Sequence, residues 1–183
     1  VIRQAGRPET ILGYRSTSDL SAEAAAAGTP WTSQIRRPTH VVTTVYEMNE
    51  QGTLGRTQRF AYEDPVYDPD AQRLLGFRTV RATRELLLRP DLAETTTSRY
   101  LYPAASLCLS RANPCLSSAL LRAQSSRAAE GLLVSREVAS PTQRLRTEVY
   151  AWRLRPYAPR GTPTGGIAQA LQEEAHTFLH GSR

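Results

Sequence analysis

The sequence predicts a mostly β fold built from antiparallel strands and hairpins, with one or two short helices. Apolar and polar residues alternate over many short runs that are rich in β-branched side chains. Pro, Gly, Asn and Asp separate these runs at short intervals, as turns between antiparallel strands require. The pattern indicates about eight strands, which suits one domain or one section of a larger one.

The first elements are a strand and a short helix. Residues 1–8 are polar and predict a loop, and the alternation from Thr10 to Ser16 predicts a strand. The alanine-rich run from Asp19 to Ala27 favours one or two helical turns that end at Gly28. Trp31 follows in a turn, where it either packs in the core or anchors an interface.

A hairpin is predicted next. Thr39 to Met48 alternates and is dominated by β-branched residues, and Asn49 to Gly52 has the composition of a four-residue turn. The returning strand covers Leu54 to Glu63.

Two Asp-Pro pairs predict a rigid double corner after this strand, because proline fixes its own φ and keeps the preceding residue out of the helical region. Gly76 lies where a bulge or a close backbone approach would fit. The residues assigned to this structural corner are Tyr62, Asp64, Pro65, Tyr67, Asp68, Pro69, Arg73, Gly76 and Phe77.

The second half continues the β pattern. Strands are predicted from Leu74 to about Leu88, where Pro90 stops the run, and from Thr95 to Tyr102. Leu116 to Glu130 has a helical composition. A hairpin of Gly131–Ala139 and Leu145–Leu154 follows.

Three sections follow from this pattern. Residues 1–155 form the β-strand section, and the Pro- and Gly-rich residues 156–166 form a linker. Residues 167–183 form a C-terminal amphipathic segment, in which the apolar spacing from Ile167 to His180 favours a helix.

Cys108 and Cys115 are the two cysteines of the chain. Their spacing is too wide for a C-x-x-C redox or zinc pair, and no second pair completes a metal site. The Asn-Pro turn between them allows a disulfide, which would stabilise the fold by about 2.5 kcal/mol. Two buried free thiols are the alternative.

The positive charge is carried by arginine alone, with 23 arginines and a net charge of +6. Because these arginines are spread along the whole chain and alternate with apolar residues, they do not form the basic and aromatic platform of a nucleic-acid site. No apolar run is long enough to span a bilayer. We therefore expect neither nucleic-acid binding nor membrane insertion by this segment.

Catalytic and metal-binding patterns are missing from the sequence. His176 and His180 have H-x-x-x-H spacing without a third ligand, and Asp64, Asp68 and Asp70 lack the order of an EF-hand loop. There is no P-loop, dinucleotide-binding glycine pattern or nucleophile elbow. We expect no enzyme activity and no cofactor.

Four short motifs follow one another along the chain. They are Gly13–Ser18, Ala27–Trp31, Arg37–Val42 and Tyr62–Phe77. Their order resembles the B component of insecticidal toxin complexes (Tc toxins), whose β-strand shell is shared with Rhs (YD-repeat) proteins. In this sequence Pro65 and Val66 replace the glycine and the first tyrosine of that family's corner motif.

The resemblance implies a section of a much longer, secreted bacterial protein. Its role would be structural, as part of the β-shell that encloses a toxic polypeptide. The partners would be the rest of its own polypeptide or companion toxin subunits, and the enclosed toxin cargo. The resemblance also favours a strand-turn-strand near residues 116–130. The alternative is an extracellular β-domain that binds a carbohydrate or protein surface through Trp31, Trp152 and tyrosines.

Overall fold

A computed structural model gives the structure of this chain and describes residues 9–49, 51–68, 72–86, 89–102, 130–157 and 167–181. The described residues form one eight-stranded sheet and one helix. Each strand pairs antiparallel with the next one along the chain, so the sheet is a simple meander. This confirms the predicted mostly β, antiparallel fold. The elements are β1 (Thr10–Ser16), α1 (Thr17–Ala26), β2 (His40–Met48), β3 (Leu54–Asp68), β4 (Arg73–Leu86), β5 (Arg89–Leu101), β6 (Leu132–Ala139), β7 (Arg144–Tyr157) and β8 (Ile167–Leu179).

Helix α1 has capping interactions at both ends. The Ser16 hydroxyl accepts a hydrogen bond from the Ser18 amide at 3.2 Å. At the other end the amides of Gly28 and Thr29 donate to the carbonyls of Ala25 and Ala24, at 3.1 and 2.9 Å. Gly28 has φ +78°, the left-handed conformation that this C-terminal motif requires. The helix is longer than the one or two turns predicted, because its cap lies three residues before Asp19.

Asn49 organises the turn between β2 and β3. Its amide donates to the Thr53 carbonyl at 2.7 Å, and its side-chain oxygen accepts from the amides of Gln51 and Thr53, both at 3.0 Å. Gly52 has φ +72°, which glycine adopts without strain. The turn therefore lies at the position that the sequence predicted.

The first Asp-Pro pair is not a corner between strands, contrary to the sequence prediction. β3 continues through Asp64 and Pro65 to Asp68, and Pro65 lies opposite Phe77 of β4. Asp64 has φ +51°, so a local irregularity in β3 accommodates the proline without ending the strand. The second pair begins at the end of β3, and Pro69 lies outside the described residues.

The prediction of a C-terminal helix is wrong. Residues Ile167–Leu179 form β8, which pairs with β7 from Tyr157↔Ile167 to Arg146↔Leu179. The helical spacing of apolar residues is overridden because a neighbouring strand offers a complete ladder of backbone partners. β7 itself extends to Tyr157, two residues into the predicted linker. The rest of the linker, residues 158–166, lies outside the described part.

Of two further sequence predictions, the structure corrects one and does not cover the other. β5 begins at Arg89, so Pro90 belongs to the start of that strand instead of separating two strands. The cysteine segment and the ambiguous Leu116–Glu130 segment fall almost entirely on residues 103–129, which the structure does not describe. The pairing of Cys108 and Cys115 therefore stays a prediction.

The sheet buries few apolar side chains. Among the described residues the buried apolar side chains are Phe77, Tyr102, Val138 and Pro65. α1 packs beside β1 and covers only a small part of the sheet. Within the described part, β1 and β8 are each paired on one side only, which leaves two sheet edges.

Thr17 connects α1 to the segment that precedes β2. Its side chain is 1% exposed, and its hydroxyl accepts from the Thr39 amide at 3.1 Å while its own amide donates to the Thr39 carbonyl at 2.8 Å. This reciprocal pair fixes the position where the chain enters β2.

We expect Thr17→Val to speed hydrogen exchange at the Thr39 amide, because valine has the same shape but offers no acceptor. The lost acceptor corresponds to about 1–2 kcal/mol in the local opening free energy. Hydrogen–deuterium exchange with mass spectrometry measures this directly. Thr32→Val, at an exposed position, is the control. Equal exchange in both variants would contradict the assigned role.

Candidate functional site in the β3–β4 hairpin

The hairpin of β3 and β4 changes the direction of its side chains partway along its length. Tyr62 lies opposite Val80, and Phe77 is three residues from Val80, so regular alternation would place Phe77 on the face opposite Tyr62. Instead the rings of Tyr62 and Phe77 pack together, with centroids 4.6 Å apart. Asp64, at φ +51°, lies within the interval where the face changes, and Gly76, at φ +153°, is a second irregular position just beyond Phe77.

Four aromatic side chains converge at this change of face, and we call Trp31, Phe60, Tyr62 and Phe77 the aromatic cluster. Trp31 meets Phe77 edge to face at 5.6 Å, and Phe60 stacks against Tyr62 at 6.5 Å. Such pairs each contribute about 0.5–1.5 kcal/mol beyond the area that they bury. The aromatic cluster thus holds the loop before β2 against the β3–β4 hairpin.

Tyr62 also links β3 to β2 through its hydroxyl, which donates to the Val42 carbonyl at 2.5 Å. Burial raises the pKa of the Tyr62 hydroxyl. A folded-state pKa above the unfolded value means that this contribution to stability is complete below about pH 10 and is lost as pH rises further.

The side chain of Tyr102, the residue that follows β5, lies against Gly76 of the hairpin. A Cβ added to Gly76 would lie 2.0 Å from the Tyr102 hydroxyl oxygen. Tyr102 is 8% exposed, its hydroxyl lies 3.4 Å from the Leu75 carbonyl, and burial raises its pKa. Gly131, whose amide donates to the Leu101 carbonyl at 2.9 Å, also lies near this ring, since a Cβ added there would be 3.5 Å from the Tyr102 hydroxyl oxygen. Tyr102 therefore occupies the point where β5 ends and β6 is about to begin.

Tyr67 carries a buried hydroxyl for which the described residues provide no hydrogen-bond partner. It lies opposite Leu74 near the end of the hairpin, immediately after a register shift at Val66. A buried polar atom without a hydrogen-bond partner lowers the free energy of unfolding, so the Tyr67 hydroxyl destabilises the described part of the fold.

The other predicted corner residues are distributed along the two strands. Asp68 and Arg73 are direct partners at the end of the ladder, and Pro65 is fully buried opposite Phe77. The structure thus brings together Tyr62, Pro65, Gly76 and Phe77, and places Tyr67, Asp68 and Arg73 at the tip. That these residues act as one structural corner remains a proposal.

Trp31 was expected either in the core or at an interface. Its ring is half-buried and engaged with Phe77, which is the contact of a packing residue. Trp152 donates its indole N–H to the Leu133 carbonyl at 2.7 Å. An interface role for Trp31 stays a prediction.

The histidines near the C-terminus do not act together. His176 contacts Glu174 at 3.0 Å, and His180 lies 2.9 Å from the Thr147 hydroxyl. Within the described residues no group of three or more His, Cys, Asp or Glu side chains is arranged to hold a metal ion. The described part also contains no helix with the length and apolar character needed to cross a bilayer.

Two residues with important contacts escaped the sequence analysis. Tyr102 was assigned only to the end of a strand, and Thr17 to a motif without a role. Neither residue has a sequence signal of its own. A glycine within a strand, such as Gly76, does indicate a bulge or a close approach by another part of the chain.

Gly76→Ala is expected to destabilise the hairpin by about 2–5 kcal/mol, because it combines backbone strain with a clash against Tyr102. Hydrogen exchange across β3 and β4 measures the effect. Gly52→Ala is a matched control, since its φ is also positive but nothing lies within 4 Å of an added Cβ. Equal losses in the two variants would show that the Tyr102 contact carries no cost.

Tyr67→Phe is expected to raise the local stability of the hairpin by up to about 1 kcal/mol, because it removes a hydroxyl that is buried without a partner. Tyr62→Phe should do the opposite, since that hydroxyl donates to Val42. Hydrogen exchange on the two variants gives the comparison. A loss of stability in Tyr67→Phe would show that its hydroxyl is bonded.

Comparison with known proteins assigns the fold. No curated protein matches this chain at a significant level. The crystal structure of TcdB2-TccC3 matches 94% of this chain at 15% identity with a TM-score of 0.68. A Photorhabdus luminescens Tc holotoxin pore with a mutant TccC3 matches 93% at 14% identity with a TM-score of 0.70. These likenesses establish a shared fold, and the chain spans 10% of the length of each matched chain.

The family relationship rests on the sequence itself. The family described as "Insecticide toxin TcdB middle/N-terminal region" matches residues 4–101, which is more than half of the 183-residue chain. The matched range contains the helix, the aromatic cluster and the β3–β4 hairpin. This chain therefore belongs to the family of the insecticide toxin TcdB middle/N-terminal region.

Proposed function

We propose that this chain is a structural section of a secreted bacterial Tc-type toxin, and that it forms part of the wall of a β-shell enclosing a toxic polypeptide. Its membership of the TcdB middle/N-terminal family supports this role. So does a fold shared with structures in which TcdB2 is combined with TccC3. The section has no catalytic task, and its work is mechanical separation of the cargo from its surroundings.

The single observation that carries the proposal is a sheet one layer deep. A sheet in an isolated domain buries one apolar face against a second layer. Within the described part of this chain, α1 is the one helix, and it covers little of the sheet. The edges at β1 and β8 also offer unpaired backbone groups, which isolated proteins usually protect. Neighbouring strands of a larger shell would pair both edges.

Ion pairs on both faces of the sheet support the same conclusion. Arg56 contacts Glu47, and Arg59 contacts Glu85 at 3.5 Å. Because Arg56 and Arg59 are three residues apart in β3, their side chains point to opposite faces. A sheet with charged pairs on both faces suits a wall that separates two polar compartments.

Eight of the 23 arginines form ion pairs with glutamates within the described residues. Each exposed pair contributes at most about 1 kcal/mol. Six of the eight pairs link successive strands, while Arg15 pairs with α1 and Arg146 pairs within β7. Arginines already held by glutamates are poor candidates for nucleic-acid contacts, which supports the expected lack of such a partner. The paired arginines are Arg15, Arg56, Arg59, Arg81, Arg136, Arg144, Arg146 and Arg153.

The proposed section is longer than the sequence pattern indicated. Residues 1–155 were assigned to the shell, with 156–166 as a linker and 167–183 as a separate segment. Because β8 continues the ladder from β7, we extend the proposed wall section to Leu179. Its partners are the rest of a longer polypeptide, companion toxin subunits and the enclosed cargo, all in a complex that acts outside the producing bacterium.

The alternative, a small extracellular binding domain, finds less support. Of the contact groups expected for it, both tryptophans are engaged, since Trp31 packs on Phe77 and Trp152 is bonded to the Leu133 carbonyl. Tyr14 is exposed, but it is the one tyrosine among the large apolar side chains that are exposed in the described part. Such a domain would also need to fold alone with its edges protected.

Intact mass spectrometry of the native protein, followed by limited proteolysis, tests the proposal. We expect a parent polypeptide several times heavier than 20.3 kDa. We also expect that a cargo polypeptide resists protease in the complex and is digested after mild denaturation. A native protein with this chain's mass, or cargo digested equally in both states, would reject the shell role.

A further inference from the structure

A cleft of about 490 Å³ lies between the segment that leads into β2 and the tip of the β3–β4 hairpin. The two sides come from parts of the chain that are more than thirty residues apart in sequence. The residues that line the cleft are Arg37, Pro38, Thr39, His40, Val41, Gln72, Arg73 and Leu74. We call it the arginine cleft, since one arginine lines it on each side.

The lining of the arginine cleft is cationic. Arg37 and Arg73 are both exposed, His40 also lines the cleft, and no Asp or Glu is among the lining residues. Eight other arginines of the described part are each held by a glutamate. Arg37 and Arg73 have no such partner within the described residues. Asp68 lies opposite Arg73 in the ladder but does not line the cleft.

The backbone on both sides of the cleft is held in place. On one side, the reciprocal hydrogen bonds between Thr17 and Thr39 fix the approach to β2, and His40 pairs with Ser16. On the other side, Arg73 and Leu74 belong to the β4 ladder. Arg73 is therefore presented from the first residue of β4, and Arg37 from the segment that the Thr17–Thr39 bonds tie down two residues later. Holding the backbone near both guanidinium groups lowers the cost of ordering them when an anion binds.

We infer that the arginine cleft receives the carboxylate of an Asp or Glu from a polypeptide segment that packs against this face. The planar guanidinium fork of arginine matches a carboxylate with two parallel hydrogen bonds. The inference rests on the proposed shell role, because a wall section is surrounded by polypeptide, whose anions are Asp and Glu side chains. No Trp, Tyr or Phe is among the lining residues, so the cleft lacks the broad aromatic platform of a single-strand nucleic-acid site.

The absence of lysine from the chain makes a specific test available. In the full native polypeptide, Arg37→Lys and Arg73→Lys each keep the positive charge and place one reactive amine in the cleft. A carbodiimide then joins that amine directly to a carboxylate that touches it, and mass spectrometry identifies the cross-linked peptide. Arg36→Lys is the control, since Arg36 is the adjacent exposed arginine and does not line the cleft.

We expect the two cleft variants to give several-fold more cross-linked product than Arg36→Lys, joined to an Asp or Glu outside this segment. Equal yields in all three variants would overturn the inference. So would cross-links only to Asp68 or Asp70 of the same hairpin, or no cross-link, as expected if the cleft binds only free phosphate. Protease protection of the cargo is measured separately, so the shell role can hold while the cleft assignment fails.

Discussion

Backbone hydrogen bonding between neighbouring strands is the interaction on which this structure depends. Eight strands pair in chain order, and only a handful of apolar side chains within the described residues are buried. In most domains a core of packed side chains holds the layers together. Here the ladder itself carries the fold, and side chains mainly adjust its register. This explains why irregular backbone positions such as Asp64 and Gly76 are the sites of the most specific packing.

The side chains add to the ladder in two different ways. Arginine–glutamate pairs connect strands over much of the sheet and tolerate exposure to water on both faces. The aromatic cluster and Tyr102 act locally, where the β3–β4 hairpin changes face and where β5 ends. The ion pairs are similar contacts repeated along the sheet. The aromatic contacts fix the register at particular positions. A wall section needs both, because a uniform sheet alone leaves its register weakly specified.

The sequence supports the strand assignments where alternation and turn chemistry agree. β2 and the Asn49 turn are examples, since both depend on neighbouring residues. The errors arise where pairing with a neighbouring strand outweighs the local pattern. Ile167–Leu179 has helical spacing, but pairing with β7 outweighs this local preference. Asp64-Pro65 has the composition of a turn, yet β4 keeps β3 extended through it. The contact of Tyr102 with Gly76 joins strands that a local pattern cannot relate.

The candidate site was likewise predicted in its residues but not in their arrangement. The corner residues were identified from their types, and their turn-forming tendency appears as the irregular backbone of Asp64. Their arrangement could not be derived, because the change of face depends on the partner strand. The family resemblance inferred from the short motifs was correct, because the family model matches residues 4–101. These residues include β1, the helix and the β3–β4 hairpin, on which the motifs lie.

The chain-order meander has a consequence for how such a protein is made. Each strand completes its hydrogen bonds with the strand synthesised just before it, so no strand must wait for a distant segment of the chain. Low sequence separation between contacts favours fast folding and limits the time for which a strand edge is exposed. A section of the proposed wall can therefore be laid down strand by strand during translation, with each new strand covering the edge left by the last.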